Sequence, residues 1–253
     1  MKITLLGTGT SQGIPVIGCG CAVCTSSDTR NKRLRVSVLV ETAGKTIVID
    51  SGPDFRYQML RARVKDLDAI LFTHEHKDHI AGLDDIRPFN YLLGKTIDVY
   101  ATERVQSALR REFAYIFAGG TYPGLPKINM HEITDDPFAI GAVQVNPLEI
   151  MHYKLPILGF RIEDFTYITD AKTVSDASVE KIRGSKILVV NALQKEKHIS
   201  HFTLEEAIDF AQMIGAEQTY FTHISHNLGL HEDVEGELPA GIHLAYDGLT
   251  INI

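Results

Sequence analysis

Cysteine is scarce and odd in number: 3 residues in 253, all crowded between Cys19 and Cys24. Three thiols cannot pair completely, and Cys-Gly-Cys-Ala-Val-Cys is too tight for a disulfide framework. This excludes a small disulfide-stapled fold. The thiols are expected to be reduced, in a cytoplasmic setting, and free to hold metal. Long apolar runs are missing too. None approaches the roughly 20 residues of a membrane helix, so no membrane partner is expected. Met1-Lys2 is followed only by Ile3-Thr4-Leu5-Leu6 before glycine intervenes, so no signal peptide is expected. Positive charge is in deficit, with 25 Lys+Arg against 32 Asp+Glu and a formal net charge of −7. That balance disfavours a large polyanionic partner, so nucleic acid is expected to be an unlikely one. No low-complexity stretch or Pro/Gly/Ser linker divides the chain, and residues 1–253 are expected to form one domain.

What is present is globular in composition: 44% hydrophobic and 23% charged residues exclude a disordered, collagen-like or coiled-coil chain. Short β-branched runs bounded by Gly, Pro, Asp or Asn predict strands at Ile3–Leu6, Val36–Glu41, Thr46–Ile49, Ala69–Phe72, Ile97–Tyr100 and Val143–Glu149. Further strands are expected at Gly159–Ile162, Thr166–Ile168, Lys186–Val190, Gln218–Phe221, Ile242–Ala245 and Leu249–Ile253. Helical periodicity marks Pro53–Arg63, Glu103–Phe113, Ser175–Arg183 and Leu204–Ile214. Two strand-rich stretches with interspersed helices predict an α/β fold with two packed sheets covered by helices, a four-layer sandwich.

There are 11 histidines, and their placement is uneven. Directly after the strand at Ala69–Phe72 comes Thr73-His74-Glu75-His76-Lys77-Asp78-His79. Alternate residues of an extended strand end point the same way, so His74 and His76 can face one centre. Once the chain turns, Asp78 and His79 can face an adjacent one. Four nitrogen and oxygen donors in six residues suit two borderline or hard divalent ions, Zn²⁺ or Mn²⁺. Glu75 and Lys77 are expected to point away. Two ions need more donors, and His152, Asp170 and His223 each follow a predicted strand, with His152 expected to precede a turn at Pro156.

A second donor set lies in the glycine-rich segment that begins Gly7-Thr8-Gly9-Thr10-Ser11-Gln12-Gly13. Cys19, Cys21 and Cys24, spaced C-x-C-x-x-C, supply three of the four ligands of a tetrahedral zinc. His226, in His223-Ile224-Ser225-His226, is the best candidate for the fourth. A closed Cys3His site would be a structural zinc, with no open position for chemistry.

The H-x-H-x-D-H motif followed by His152, Asp170 and His223 resembles the metallo-β-lactamase-fold hydrolases, along nearly the whole chain. Asp50, in Ile47-Val48-Ile49-Asp50-Ser51-Gly52, matches that superfamily's strand-end aspartate, which supports the metal-site loop. The resemblance implies an αβ/βα sandwich. It also implies one ion on His74, His76 and His152, another on Asp78, His79 and His223, and Asp170 bridging them. The G-T-G-T-S-x-G start, the C-x-C-x-x-C loop, the terminal His-Ile-Ser-His and the tail from Leu238-Pro239 to Leu249 are similar to the phosphoribosyl 1,2-cyclic phosphate phosphodiesterases of bacterial phosphonate breakdown. The wider clan includes ribonuclease Z. A small phosphodiester substrate is therefore expected.

For such a substrate, water held between two ions would attack phosphorus, with Asp78 or Asp170 orienting it. His201, in a context similar to the histidine that acts on the leaving group in related phosphodiesterases, is the candidate proton donor, and His198 lies close by. Thr29-Arg30-Asn31-Lys32-Arg33-Leu34-Arg35 is the dense basic stretch. Within it Arg33 and Arg35 are the expected clamp for a terminal phosphate, the alternative being a solvated segment before a strand. Resemblance to the family's R-x-S-x-x-V context implies that Ser37 faces the same site. The segment Ala114–Met130 is expected to be a loop or lid over the pocket, or a contact in a homodimer. Competing readings are a ribonuclease Z-like endoribonuclease, a thioesterase or lactonase of the same fold, and a metal-binding scaffold without turnover. The low positive charge and the lack of a long basic arm count against the first of these.

Overall fold

A computed structural model describes residues 1–119 and 123–253. In chain order the strands are β1 (Lys2–Gly7), β2 (Ser37–Thr42), β3 (Lys45–Ile49), β4 (Ala69–Leu71), β5 (Ile97–Ala101) and β6 (Ile128–Glu132). They are followed by β7 (Phe138–Ile140), β8 (Val143–His152), β9 (Leu155–Ile162), β10 (Phe165–Tyr167) and β11 (Thr173–Val174). The last are β12 (Ile187–Asn191), β13 (Gln218–Thr222), β14 (Ile242–Leu244) and β15 (Thr250–Asn252). Among the described residues one sheet has the order β15-β1-β2-β3-β4-β5-β6, and the other β11-β8-β9-β10-β12-β13-β14 with β7 also on β8.

The central strands read as continuous apolar runs because both of their faces are covered. In β3, Ile47 and Ile49 point between the sheets while Val48 points outward, and all three are fully buried. The intersheet core pairs Ile3, Leu5, Val38 and Val40 with Val145, Phe160, Tyr167 and Val189. Outside the first sheet, Val48, Ile70 and Val99 pack on Phe55 and Met59 of helix Phe55–Ala62 and on Val105 and Leu109 of helix Glu103–Glu112. Outside the second, Leu188, Val190 and Phe221 meet Ala207, Phe210, Ala211 and Ile214 of helix Leu204–Ile214. The result is helix, sheet, sheet, helix. Each fully buried aliphatic or aromatic side chain contributes about 1.5–3 kcal/mol of transfer free energy, so all three interfaces hold the layers.

Within each sheet the strands of one side run parallel: β3, β4, β5 and β6 in one, and β10, β12, β13 and β14 in the other. Parallel strands place all their carboxyl ends on one edge, where crevices for ligands form. Asp50, His74, Asp170 and His223 sit just beyond the ends of β3, β4, β10 and β13.

Two expectations need correction. His152 does not lead into a turn at Pro156: β8 and β9 form a tight hairpin with His152 opposite Leu155, turning at Tyr153-Lys154, and Pro156 lies inside β9. Nor is Ala114–Met130 one long loop. Ala114–Phe117 is a short helix, Ile128–Met130 begins β6, and residues 120–122 of that segment lie outside the described residues. No helix among the described residues is long and apolar enough to cross a membrane.

Candidate metal centre

The site is assembled on three backbone positions held in the left-handed region: Asp50 (φ 62°), Asp170 (φ 57°) and His223 (φ 54°). Each costs roughly 1–3 kcal/mol and persists only where the surroundings over-determine it. For Asp50 those surroundings are visible. Its carboxylate accepts the Thr73 backbone N–H (2.9 Å) and the Thr73 hydroxyl (2.8 Å), and lies 2.7 Å from His79 Nδ1. The Thr73 contacts fix the start of the histidine loop, and the His79 contact fixes its end. The next turn packs directly beneath. Ser51 N–H donates to the His79 carbonyl at 2.8 Å, and a Cβ on Gly52 would fall 2.0 Å from the Asp78 carbonyl oxygen.

A carboxylate can only accept, so His79 directs an Nδ1–H at Asp50 and turns Nε2 toward the centre. There Nε2 lies 3.2 Å from Asp78 Oδ2 and 3.3 Å from Asp170 Oδ2, yet is angled so that it forms no hydrogen bond. His223 behaves alike. It is buried, its two ring nitrogens lack hydrogen-bond partners among the described residues, and its Nε2 is 3.2 Å from Asp170 Oδ1. Buried polar atoms without partners are uncommon in folded proteins. Here the Nε2 atoms of His79 and His223 both face Asp78 and Asp170, which is the pattern of ligands around a cation.

The electrostatics agree. Burial disfavours charge on His79, but Asp170, Asp50 and Asp78 outweigh it and hold the ring well above the ordinary histidine value. Burial pushes the Asp170 carboxyl up, but His223, His79 and the His201 hydrogen bond overcome this and hold it well below the carboxylate range. His223 is pushed down to about 4, chiefly by burial. Burial also drives His74 well below the usual value. The His74 and His223 rings, held neutral beside the Asp170 carboxylate, suit a divalent ion. The carboxylates that favour a positive charge on His79 mark the same point as one that attracts cations.

His74, His76 and His152 form a second convergence. His74 Nε2 is 3.0 Å from His76 Nδ1, and the donor atoms of all three lie within 4.8 Å of one another. His152 Nδ1–H donates to the Ser200 carbonyl at 2.9 Å, which leaves its Nε2 lone pair for the centre. Asp78, His79 and His223 group in the same way, and Asp170 groups with His74 and His79 on one side and with His152 and His201 on the other. Asp170 thus sits between the two sets. The intervening residues turn away: Glu75 pairs with Arg104, and Lys77 with Glu112.

His201 is drawn into the same place. Its Nε2 lies 3.0 Å from Asp170 Oδ1, and its ring stacks on His223 at 4.8 Å. The neighbouring backbone sets this position, because Phe202 N–H donates to the Ala171 carbonyl at 2.8 Å. Helix Leu204–Ile214 begins immediately after, with a Thr203–Glu206 capping box. His198 Nδ1 is 3.1 Å from His201 Nδ1, behind it.

The cysteine loop closes on a separate point. Sγ of Cys19, Cys21 and Cys24 lie 3.3, 3.5 and 3.6 Å from His226 Nδ1. A tetrahedron with Zn–S near 2.3 Å and Zn–N near 2.0–2.1 Å has S···N edges of about 3.5 Å, so the four residues fit zinc. The Cys24 backbone N–H draws the Cys21 thiol down to about 6, aided by His226. Val16 N–H donates to Cys24 Sγ.

The expected phosphate clamp is not built as the sequence suggests. Arg33 is 3% exposed. Its Nη1 donates to Thr8 Oγ1 (2.7 Å) and the Ala245 carbonyl (2.5 Å), and its Nη2 lies 3.0 Å from His231 Nδ1. It ties the glycine-rich start to the tail and does not face a substrate. Arg35 is engaged by the Asp54 carboxylate, with Nη1 3.3 Å from both oxygens, and by the Ser11 carbonyl. Ser37 is fully buried and donates to the Ile49 and Asp50 carbonyls, pinning the Asp50 turn and not lining the site. The cations that do flank the centre, Arg104 and Lys154, border a cleft of about 470 Å3 whose walls include His76 and His152. Sequence reasoning passed over both, since each stands alone among uncharged or acidic neighbours.

With the geometry in hand, likeness to known proteins is informative. The beta-lactamase superfamily domain matches residues 45–224. A crystal structure of a new diphosphatase from the PhnP family superposes with a TM-score of 0.93 at 42% identity, covering 100% of this chain and 97% of that one. A curated Octanoyltransferase of Porphyromonas gingivalis is 42% identical over 252 residues, 98% of this chain, which spans only 51% of that relative's length. Ribonuclease Z of Mycobacterium sp. (strain KMS) is 26% identical over 256 residues, 88% of this chain and 84% of that one. The last relative removes support for treating nucleic acid as an unlikely partner. Net charge describes the whole surface, whereas phosphate can be met by metal ions at one point. The chain belongs to the beta-lactamase superfamily and to its PhnP-type members, and is a metallo-β-lactamase-fold hydrolase.

Proposed function

We propose that the protein is a binuclear metal-dependent phosphodiesterase acting on a small cyclic sugar phosphate of the phosphoribosyl 1,2-cyclic phosphate type. The observation that carries this reading is the Asp170 carboxylate, buried between the His74/His76/His152 and Asp78/His79/His223 donor sets. In this reading those two sets would hold one divalent ion each, Zn²⁺ or Mn²⁺, with the Asp170 carboxylate available to both. Cys19, Cys21, Cys24 and His226 hold one structural Zn²⁺. A pair of such ions supplies Lewis acidity toward a phosphoryl oxygen and lowers the pKa of water toward neutrality.

The chain's own groups divide the remaining work. Asp78 and Asp170 are acceptors that orient the attacking water. His201, on the opposite side of Asp170 from His79, gives its proton to the leaving oxygen. The Asp50–His79 contact and the His152–Ser200 contact keep the rings aimed. The open cleft of about 470 Å3 beside His76 and His152 is in the size range of small-molecule sites, which favours a compact diester. A second reading, a ribonuclease Z-like endoribonuclease, draws on the Mycobacterium relative.

The test is a substrate panel with added Mn²⁺ or Zn²⁺: phosphoribosyl 1,2-cyclic phosphate, bis(p-nitrophenyl) phosphate, a precursor tRNA, a thioester and a lactone. Turnover of the cyclic phosphate and the nitrophenyl diester is expected. Turnover confined to the thioester or lactone would overturn the phosphodiesterase reading, and a preference for precursor tRNA would replace the small substrate with RNA.

A further inference from the structure

Resting on the phosphodiesterase reading, we propose that Arg104 and Lys154 form a two-sided clamp for a second, non-reacting phosphate of the substrate. The two cations come from different elements and meet at one cleft. Arg104 lies in the first turn of helix Glu103–Glu112, and Lys154 in the β8–β9 turn that immediately follows His152. That cleft opens beside His76 and His152, and its lining among the described residues contains no carboxylate. A phosphate held there lies next to the candidate metal centre without occupying it.

The local bonding leaves both cations available. Arg104 uses only Nε for Glu75, at 2.5 Å, and among the described residues no protein acceptor takes its Nη groups. A guanidinium held by Nε on one side presents its two Nη donors as a fork, the arrangement that reads phosphate bidentately. Lys154 has no carboxylate partner among the described residues. Its ammonium lies 5.3 Å from the Tyr153 ring, an adaptable contact that anchors it at the rim. The backbone at Tyr153 is held at φ 57°, which fixes this turn and so the distance from Lys154 to His152.

The surroundings give the clamp direction. A neighbouring cleft of about 450 Å3 touches His74 and shares Arg104 at its border, but it lacks Lys154 and is lined by five carboxylates, Glu75, Glu103, Glu132, Asp135 and Glu149. An anionic tail is repelled from that side and attracted to the Arg104/Lys154 side, so one substrate orientation is selected. In a chain of net charge −7, such a local field outweighs the average. The clamp also takes over the role that the buried Arg33 and the Asp54-paired Arg35 cannot fill.

Calorimetric binding of D-ribose 5-phosphate, with D-ribose as the uncharged control, tests the clamp without relying on turnover. The wild-type, metal-loaded protein is expected to bind the phosphorylated sugar and not the control. Arg104→Ala with Lys154→Ala should weaken binding about 10- to 100-fold, as expected for losing two charge-assisted contacts, and Arg104→Lys should recover part of it. Both residues are exposed, and unchanged circular dichroism and metal content would establish that the variants fold. Equal binding by wild type and double variant, or no binding by wild type, overturns the clamp. In parallel, kcat/KM for phosphoribosyl 1,2-cyclic phosphate relative to the ring lacking the 5-phosphate should fall toward one in the double variant. If no phosphodiester is turned over while ribose 5-phosphate binding still depends on Arg104 and Lys154, the clamp stands and the phosphodiesterase reading fails.

Discussion

At the scale of single residues, the chemistry depends on which face of a ring carries the proton. Asp50 takes the Nδ1 proton of His79 and the Ser200 carbonyl that of His152, so both Nε2 atoms turn inward. His201 differs, with Nε2 on Asp170 and Nδ1 between Ser200 Oγ (3.0 Å) and His198 (3.1 Å). It is therefore placed to exchange a proton and is not required as a ligand. His201→Ala is expected to lower kcat for a phosphodiester by about 10²–10⁴-fold, the usual yield of general acid catalysis, with the metal content of the purified protein unchanged. Unchanged kcat, or loss of an ion, would remove His201 from that role. The density of H-x-H-x-D-H made this neighbourhood legible in the sequence. Arg33 was misread for a physical reason: its three partners, Thr8, Ala245 and His231, lie up to 212 positions away along the chain, and a run of basic residues does not reveal which one turns inward. There its guanidinium is drawn down to about 10 by burial.

At the scale of elements, strand ends and the loops beyond them make the site, and the zinc loop braces it from behind. Cys19, Cys21 and Cys24 are 202 to 207 positions from His226, which stands three residues past His223. Closing that site joins the glycine-rich start of the chain to the end of β13. Cys21→Ser is expected to remove one zinc and lower the midpoint of thermal unfolding, while kcat of the surviving folded protein stays within a few-fold of wild type. A variant as stable as wild type that had lost only turnover would contradict a structural zinc. The long strands and the helices at 55–62, 103–112, 176–182 and 204–214 were legible because burial on one or both faces writes itself as an apolar period. Shorter pieces were not. Helix Lys77–Ile80 is a single turn that carries the site residues Asp78 and His79, and β6 mixes half-buried and exposed side chains with none fully buried, so neither carries a clear hydrophobic pattern. The tight β8–β9 turn was hidden by Pro156, which sits within the second strand and not at its start.

At the scale of the whole molecule, two mixed sheets meet so that the carboxyl ends of their parallel strands share one edge. Asp50, His74 and His79 from the first sheet's loops there face Asp170 and His223 from the second's. Asp78 and Asp170 are held in their ionised forms beside the His74 and His223 rings, which burial holds neutral, so negative charge and ring lone pairs are concentrated at one place. Divalent ions suit that place, and the central claim is that the chain hydrolyses phosphodiesters with two of them. The direct measurement is hydrolysis of bis(p-nitrophenyl) phosphate by chelator-stripped protein, titrated with Mn²⁺ or Zn²⁺ while bound metal is counted. No turnover is expected in the stripped protein, and a plateau is expected at about two active-site equivalents beyond the cysteine-bound zinc. Full phosphodiester hydrolysis by metal-free protein, or a plateau of bound metal with no phosphodiester hydrolysis at all, would contradict it.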